Sequence, residues 1–534
     1  MSAAAGTTEP AVGDRRGLPQ WVAALVVFTT SAAVLVLEIL AARLLAPYVG
    51  DSLRTYTAII GVVLAGIAAG SWWGGRWADT HDPRRLLGPV VTGGGLLGLA
   101  VVPLVAWAGE ALRGTGAAGT VLVTALAFLA PALLLTAATP LVVKLRLADL
   151  DETGRVVGHL SAVGTAGALT GTFATGFVLV AALPTRVVVV LTGSAMVVLG
   201  LALALALRDR SGATAVARDR GGAAVVAVVA VAASGLAGAG LAVGSPCERE
   251  TPYYCVSVTS ETTADGREVQ VLVLDSLRHS AVDPDDPEHL HFRYTRLVGA
   301  VLASRPEGPL DVVHVGAGGF TLPRWLEATR PGSRSTVLEI DPALEDVARE
   351  RLGWDAPAST RVVTGDARLT LEALPDDSAD VVVGDAFGDL AVPWHLATAE
   401  FATGVRDVLR PDGVYVLNVI DHGEQRLARA EAATLAGVFD HVGVLAGEAR
   451  LAREEGGNTV LVASQSPLDT TAVEAALSRL DEAGPGSERT GGGGERLVTG
   501  EPFWRWVGAA PVLRDDHAPV DQLLTPYDPP APAS

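Results

Sequence analysis

Residues 311–321 read Asp-Val-Val-His-Val-Gly-Ala-Gly-Gly-Phe-Thr, an apolar run that passes directly into a glycine-rich turn. The run predicts a buried strand, and the glycines let the backbone approach a ligand beside the N–H groups of a following helix. Because Thr321 stands where the last glycine of a Gly-x-Gly-x-x-Gly pattern would stand, the turn alone is equally compatible with an ordinary loop.

Acidic residues lie at the ends of the next three predicted strands. The acids and their strands are Glu339 (335–340), Asp366 (360–364) and Asp385 (379–384). Glu339 lies 23 residues after Gly316, where an acid can accept both hydroxyls of a ribose. One such acid could be a helix N-cap, but three at successive strand ends after a glycine-rich turn favour a nucleoside-binding site.

Strands and helices alternate on both sides of this turn. Further candidate strands are 413–419, 441–445 and 458–463, and helical stretches include 342–352 and 398–409. This alternation predicts an α/β domain with a doubly wound, mostly parallel, Rossmann-like sheet, whose ligands lie outside the carboxyl ends of the strands. Upstream, strands 254–259 and 269–274 flank a turn at 264–266 and predict a β-hairpin, which a helix at 290–302 follows.

The N-terminal half has a different composition and predicts an all-α membrane bundle. A bilayer core requires about 20 consecutive apolar residues. Seven runs meet this requirement, at 20–46, 55–77, 86–108, 118–144, 157–182, 185–207 and 222–244. The first run is too long for the core of a signal peptide and has no clear cleavage site, so we expect it to be retained. The predicted partner of this half is the lipid bilayer.

The charge changes sign along the chain. Residues 1–244 contain 16 Lys and Arg against 12 Asp and Glu, and residues 245–534 contain 24 against 47. The acidic second part argues against a nucleic-acid partner, since binding phosphates requires clustered Lys and Arg. The sequence also predicts no metal site and no tightly bound cofactor.

Basic residues between the apolar segments predict an orientation in the plasma membrane. The N-terminal tail and the even-numbered loops have the excess: Arg15, Arg16, Arg76, Arg84, Arg85, Lys144, Arg146, Arg155, Arg208, Arg210, Arg218 and Arg220. Cytoplasmic loops carry this excess in membrane proteins. We therefore expect the N-terminus in the cytoplasm and, after seven crossings, residues 245–534 outside it.

The chain has two cysteines, Cys247 and Cys255, just after the seventh segment. A short disulfide loop there fits an oxidising compartment, and two free thiols would fit a reducing one. The sequence leaves both possibilities open, and the predicted orientation favours the disulfide.

Glu38 is a carboxylate inside the first apolar segment, with Arg43 five residues later. Intramembrane carboxylates are costly and mark either a transport pathway or a structural pair. Both possibilities remain: a solute route near Glu38, or a Glu38 paired with Arg43 or with another helix. Pro140 in the fourth segment would loosen the helix backbone at membrane depth.

At these residues the sequence resembles the spermidine synthases, polyamine aminopropyltransferases that share the fold of S-adenosylmethionine-dependent methyltransferases. The resemblance covers about residues 253–465. Its motifs are LDSLRH at 274–279, Tyr294, EIDP at 339–342, GDA at 365–367, Asp385 and PWHLATAEF at 393–401. The N-terminal half is similar to the membrane region of fused spermidine synthases through EILAARLLAPYVG at 38–50, GGRWAD at 74–79 and GTAG at 164–167, and DDHAPV at 515–520 fits the same group.

The resemblance implies a role for each matching residue. Glu339 would hold the ribose and Asp366 the adenine amino group, with Gly316, Gly318 and Ala367 beside the nucleoside. Asp385 would be the base that deprotonates the attacking amine. Tyr294, His279 and Asp389 would contact the amine substrate. The implied co-substrate is decarboxylated S-adenosylmethionine or a related adenosine compound, and the implied partner is a small amine or nucleoside.

Three positions differ from the family pattern. Soluble members have an aspartate in the first turn where Gly318 stands, and it binds the charged end of the donor. Their second acceptor-binding acid follows the catalytic one by three residues, whereas Asp389 follows Asp385 by four. His279 replaces the glutamine that closes the hairpin motif.

The predicted organisation has five parts: a cytoplasmic tail at 1–19, a multi-pass membrane domain at 20–244, a hairpin and helix region at 245–309, a spermidine-synthase-like domain at 310–465 and a partly flexible extension at 466–534. The expected function is aminopropyl transfer from decarboxylated S-adenosylmethionine to an amine. Two other functions remain open, a catalytically degenerate nucleoside- or polyamine-binding domain on a membrane anchor, and a transporter with a regulatory soluble domain.

Overall fold

The computed structural model describes residues 18–147, 153–207, 215–388, 391–483 and 494–524, with backbone alone for 215–221. The described residues form two compact units, one from most of the chain up to Gly244 and the other mainly from the chain after it.

The first unit is helical. Its described helices are Gln20–Val49, Leu53–Thr80, Pro83–Ala111, Gly116–Arg146, Thr153–Ala182, Thr185–Ala206 and Ala215–Ala242. Seven described helices are long and apolar enough to cross a bilayer, as the hydrophobic runs predicted. The helix bounds lie within a few residues of the predicted ones at most ends.

Glycines allow the helices of this unit to pack closely. A Cβ atom on Gly74 would lie 2.7 Å from the carbonyl oxygen of Ala137, and one on Gly171 would lie 2.6 Å from that of Ala32. Neither position has room for a larger side chain. Small residues at such crossings favour helix association in lipid, where van der Waals packing takes the place of the hydrophobic effect.

Glu38 lies half-buried in the first helix. Arg43, the sequence partner considered for it, donates from Nε to Thr185 Oγ1 at 3.3 Å. The described residues show no ion pair between Glu38 and Arg43, so a pairing of these two side chains is not supported. A role for Glu38 in transport stays a hypothesis.

The second unit begins with a four-stranded antiparallel sheet. Its strands in order are β1 (Arg249–Glu250), β2 (Cys255–Thr262), β3 (Glu268–Leu274) and β4 (Leu277–Val282). The predicted hairpin is formed by β2 and β3, with Val256 opposite Leu274. At its turn Thr263 N donates to Arg267 O at 2.8 Å, and Gly266 has a φ of 85°, a conformation that glycine adopts without strain.

Cys247 and Cys255 form a disulfide in this unit, with Cα atoms 5.0 Å apart. In the loop-entropy description, a bond closing such a short loop stabilises the folded chain by about 2–3 kcal/mol. We therefore expect the Cys247→Ala/Cys255→Ala double variant to lower the free energy of unfolding of this unit by that amount, measured in denaturant. Thiol labelling of the untreated, denatured protein should detect no free cysteine, and two labelled thiols would contradict the bond.

The rest of the unit is built on an eight-stranded sheet. Its strands are β5 (Asp311–Val315), β6 (Arg334–Glu339), β7 (Thr360–Thr364), β8 (Ala379–Gly384), β9 (Leu409–Asp421), β10 (His441–Ala446), β11 (Gly457–Ser464) and β12 (Arg496–Val498). The order across the sheet is β12-β10-β11-β9-β8-β5-β6-β7. From β7 to β9 neighbours run parallel, and from β9 outward they run antiparallel.

The antiparallel edge was not part of the prediction and follows from the connection between β10 and β11. Only a four-residue helix, Glu448–Leu451, lies between these strands. A parallel pair needs a crossover of a dozen or more residues, so a short connection returns the chain antiparallel. The sheet is therefore mostly parallel, as predicted, but mixed.

Helices cover both faces of the sheet. Described helices of the second unit are Arg293–Ser304, Thr321–Thr329, Pro342–Arg351, Ala367–Leu371, Ala399–Val408, Arg426–Ala436, Glu448–Leu451, Thr470–Ala483, Gly500–Val507 and Val520–Leu523. The helix predicted at 290–302 begins at Arg293. The central strands are apolar and buried on both sides, as expected for parallel strands between two helix layers.

The strand order reverses between β5 and β8. From β5 the chain proceeds outward through β6 and β7, and then returns to the other side of β5 as β8. Ligands of open α/β sheets bind beyond the carboxyl ends of the strands at such a switch point. The glycine-rich turn after β5 and Asp385 after β8 both lie there.

Candidate functional site

A cavity of about 720 Å³ opens in the second unit at the carboxyl ends of the parallel strands. Its described lining includes eight of the nine positions that the sequence assigned around the nucleoside and the amine: Gly316, Gly318, Glu339, Asp366, Ala367, Asp385, Tyr294 and His279, with Ser280 of β4 beside them.

 The ninth, Asp389, lies outside the described residues.

Gly316 brings the first turn against the end of β8. Its φ is 93°, and a Cβ atom there would lie 2.6 Å from the carbonyl oxygen of Asp385. Asp385 N in turn donates to Val315 O at 2.9 Å. Only glycine combines this conformation with this approach, so the turn is built to hold Asp385 beside the end of β5.

Gly318 has a φ of 49°, and a Cβ atom there would overlap Ser280 Oγ. The same Ser280 Oγ accepts a hydrogen bond from Gly319 N at 2.8 Å. The hydroxyl therefore occupies the space into which a side chain at 318 would extend. An aspartate at this position would require Ser280 to move.

Glu339 is buried at the end of β6, with 5% of its surface exposed. One carboxylate oxygen accepts from Ala317 N at 2.9 Å, and the other accepts from Asp341 N at 2.8 Å. Burial raises the pKa of Glu339, and these backbone donors oppose the rise. Each oxygen keeps a lone pair, so the carboxylate can still accept from a ligand hydroxyl.

Asp366 lies after β7 and caps the helix Ala367–Leu371. Its Oδ1 accepts from Arg368 N at 2.9 Å, and its Oδ2 lies 3.2 Å from His395 Nε2. The N-cap role that the sequence left open is therefore present. His395 belongs to the segment after Asp385 and also lines the cavity, a contact that strand-end reasoning did not anticipate.

Asp385 lines the cavity and accepts two side-chain hydrogen bonds. Tyr294 OH lies 3.1 Å from Oδ2, and Asn418 Nδ2 donates to Oδ1 at 2.8 Å. Burial raises the pKa of Asp385 to about 6, although both hydrogen bonds act to lower it. A carboxyl with a pKa near neutrality can accept a proton and release it again.

Tyr294 and His279 complete this part of the wall. Tyr294 OH lies 3.2 Å from the backbone oxygen of His279 as well as close to Asp385. Burial and the Asp385 charge raise the pKa of Tyr294 well above its usual value, so the phenol stays protonated and donates. Burial lowers the pKa of His279 to about 4, so its ring is neutral at pH 7.

Asn418, Asn458 and Arg450 form a polar row that sequence reasoning missed. Asn458 Nδ2 donates to Asn418 Oδ1 at 3.1 Å, and Arg450 donates to the backbone oxygen of Asn458. All three line the cavity. Asn418 offered a signal, since it is an amide within the otherwise apolar stretch 413–420 of β9. Arg450 offered no such signal, because its short helix lies far along the chain from the glycine-rich turn and the acidic strand ends.

The segment after Asp385 is held in place by hydrogen bonds that involve Asp515, near the C-terminal end of the chain. Arg368 donates to Asp515 through both terminal nitrogens, at 2.7 and 2.5 Å, and to His395 O at 2.9 Å. Thr398 Oγ1 donates to Asp515 Oδ1 at 2.7 Å. The DDHAPV motif therefore supports the wall that carries His395.

The sequence is similar to those of known proteins over part of its length. No protein-family model matches the sequence. A polyamine aminopropyltransferase of Vibrio vulnificus strain CMCP6 is 33% identical over 159 residues, which are 29% of this chain and 52% of the relative. A probable polyamine aminopropyl transferase of Bifidobacterium longum strain NCC 2705 is 30% identical over 239 residues, 43% of this chain and 51% of the relative.

Among solved structures, a probable spermidine synthase from Corynebacterium glutamicum ATCC 13032 aligns with a TM-score of 0.45 and 24% identity, over 50% of this chain and 95% of that one. The chain spans about half the length of the two curated relatives it matches. The sequence matches show homology to polyamine aminopropyltransferases over part of the chain.

Proposed function

We propose that the second unit transfers an aminopropyl group from decarboxylated S-adenosylmethionine to an amine. The observation that carries this proposal is the position of Asp385, a buried carboxylate held by Tyr294 and Asn418 in the cavity wall. Homology to aminopropyltransferases over part of the chain supports the same reaction class. That the whole protein carries out this transfer is likewise part of the proposal.

The donor would lie at the end of the cavity formed by Gly316, Gly318, Glu339, Asp366 and Ala367, called the donor end below. In the proposal Glu339 accepts from the ribose hydroxyls with the lone pairs that Ala317 N and Asp341 N leave open. Asp366 accepts from the adenine amino group beside Ala367. A buried acid at this strand end suits a ribose.

The transfer needs one base and no redox change. The lone pair of the amine nitrogen attacks the aminopropyl methylene carbon that is bound to the donor sulfonium, and an N–C bond forms as the bond between that carbon and sulfur breaks. The electron pair of the C–S bond remains on sulfur, which becomes the neutral thioether of 5′-methylthioadenosine. The amine proton passes to Asp385, because a protonated amine has no lone pair with which to attack.

The proposal is tested by turnover of the full-length protein in detergent. With decarboxylated S-adenosylmethionine and a panel of amines, we expect release of 5′-methylthioadenosine that depends on the amine. Binding of 5′-methylthioadenosine without turnover on any amine would instead support a ligand-binding domain.

We also propose that the first unit spans the plasma membrane with the N-terminus in the cytoplasm. The support is the seven long apolar helices and the excess of Arg and Lys in the even-numbered loops. Under this proposal the cavity lies on the extracytoplasmic side.

A reporter that is active only outside the cytoplasm should be active when fused after Ser534 and inactive when fused after Arg210. Under the proposed topology one crossing, the seventh helix, separates the two positions, so they lie on opposite sides of the membrane. Reporter activity in whole cells measures the result, with equal expression of both fusions as the control. The opposite pattern would contradict the orientation and place the cavity in the cytoplasm.

A further inference from the structure

The cavity continues past Asp385 into a second end, the acceptor end, lined by Asn418, Ile420, His422, Arg450 and residues 456–458. Among the described residues that line this end, none carries a carboxylate apart from Asp385 at its border. A diamine would bring a second positive charge into it. That charge would meet amides, an imidazole and a guanidinium.

Arg450 differs from the other arginines of the cavity wall. Arg278 forms an ion pair with Glu261 at 2.8 Å, and Arg293 forms one with Glu495 at 2.6 Å. Arg450 has no carboxylate within ion-pair distance in the part of the chain that the structure describes. It is nevertheless buried, with 7% of its surface exposed. A buried guanidinium without a counter-ion is costly.

The hydrogen-bonding groups of Arg450 are also incompletely used. One terminal nitrogen donates to Asn458 O, whereas the buried Nε has no partner among the described residues. A Cβ atom on Gly457 would lie 2.8 Å from the other terminal nitrogen, and the φ of Gly457 is 125°. Glycine at this position therefore lets the guanidinium lie against the chain. Glu455 and Glu495 act on it only at longer range.

The charge at the acceptor end comes from Arg450. Burial lowers the pKa of the guanidinium, but arginine remains charged at neutral pH. Burial and the neighbouring Arg450 lower the pKa of His422 to about 4, so its imidazole is neutral at pH 7. An anionic group would thus meet one positive charge that has no carboxylate at ion-pair distance among the described residues.

A continuous row of contacts joins this charge to the proposed base. Asp385 accepts from Asn418, Asn418 accepts from Asn458, and the backbone oxygen of Asn458 accepts from Arg450. One small molecule can therefore present different groups to the two ends of the row. The group beside Asp385 is an amine under the proposed function.

We infer that the acceptor is an amine that also carries a carboxylate, with its nitrogen at Asp385 and its carboxylate at Arg450. The inference rests on the proposed function, whose reacting atoms it leaves unchanged. Arginine binds carboxylates through paired, charge-assisted hydrogen bonds. A second ammonium group at the same place would be repelled.

Two probes of equal carbon number test the inference, 4-aminobutyrate and 1,4-diaminobutane. Their affinities for the full-length protein in detergent are measured by calorimetry in the presence of saturating 5′-methylthioadenosine. We expect 4-aminobutyrate to bind at least about tenfold more tightly, on the scale of a charge-assisted hydrogen bond. Arg450→Met should remove this preference, and Arg450→Lys should retain part of it. Arg349→Met, on an exposed arginine, is the control.

Tighter binding of the diamine to the wild type would overturn the inference. An equal loss of affinity for both probes in Arg450→Met would also overturn it, because such a loss would indicate that Arg450 has only a structural role. If neither probe binds while 5′-methylthioadenosine does, the acceptor assignment fails and the nucleoside site stands. If 5′-methylthioadenosine does not bind either, the proposed function itself fails.

Discussion

Asp385→Asn is expected to lower the rate of aminopropyl transfer by about 10²–10⁴-fold, the usual contribution of a general base. The substitution keeps the shape of the side chain and its place between Tyr294 and Asn418 but removes the proton acceptor. Binding of 5′-methylthioadenosine should change little, because the donor end is formed by other residues. Single-turnover rates and calorimetry on the full-length protein measure the two effects separately.

Asp376→Asn is the matched control, since Asp376 is exposed and does not line the cavity. It should transfer at the wild-type rate. Equal rates in wild type and Asp385→Asn would remove the catalytic assignment.

The pH dependence follows from the raised pKa of the same carboxyl. A base must be deprotonated, and burial raises the pKa of Asp385 to about 6. The rate of the wild type should therefore rise with pH through about 6 if this group limits the reaction. Asp385→Asn should lose that limb in the profile of kcat/KM. A wild-type rate that stays constant from about pH 5 to about pH 7, on both sides of this pKa, would contradict the role of Asp385 as the base.

Glu339→Ala is expected to weaken binding of 5′-methylthioadenosine by about 1–3 kcal/mol, the range for a hydrogen bond to a charged group. The loss arises because the ribose would no longer find a carboxylate at the end of β6. Calorimetry on the full-length protein measures the dissociation constant. The substitution also leaves Ala317 N and Asp341 N without their acceptor, so thermal unfolding must be followed in parallel.

Glu339→Gln separates these effects because its amide oxygen can still accept a backbone hydrogen bond. Glu372→Ala, on an exposed residue outside the cavity lining, is the control and should bind as the wild type does. Unchanged affinity in both Glu339 variants would exclude Glu339 from the nucleoside site.

The fold could be predicted wherever local pattern and tertiary structure agree. Strands β5, β7 and β8 have the predicted bounds because each is a short run with consecutive valines that ends at or just before a glycine. The antiparallel edge formed by β10 and β11 could not be read from hydrophobicity, since an apolar strand has the same pattern in either direction. The short connection between them was the available signal.

The strand pattern predicts the site only where residues end a strand, and the family resemblance added Tyr294 and His279. Glu339, Asp366 and Asp385 line one cavity because the carboxyl ends of parallel strands meet at one edge. Asn418 and Arg450 reach it from β9 and from the connection after β10, and their approach depends on packing rather than on spacing. Ser280, which fills the space beside Gly318, likewise comes from the separate four-stranded sheet.

The most direct test of the central claim is the mass of the amine product formed by the full-length protein. The protein is incubated with decarboxylated S-adenosylmethionine and an amine, and both products are quantified. We predict an amine heavier by one aminopropyl group, released in equal amount with 5′-methylthioadenosine and dependent on Asp385. The claim would be contradicted if the protein still binds 5′-methylthioadenosine but forms no modified amine from any acceptor.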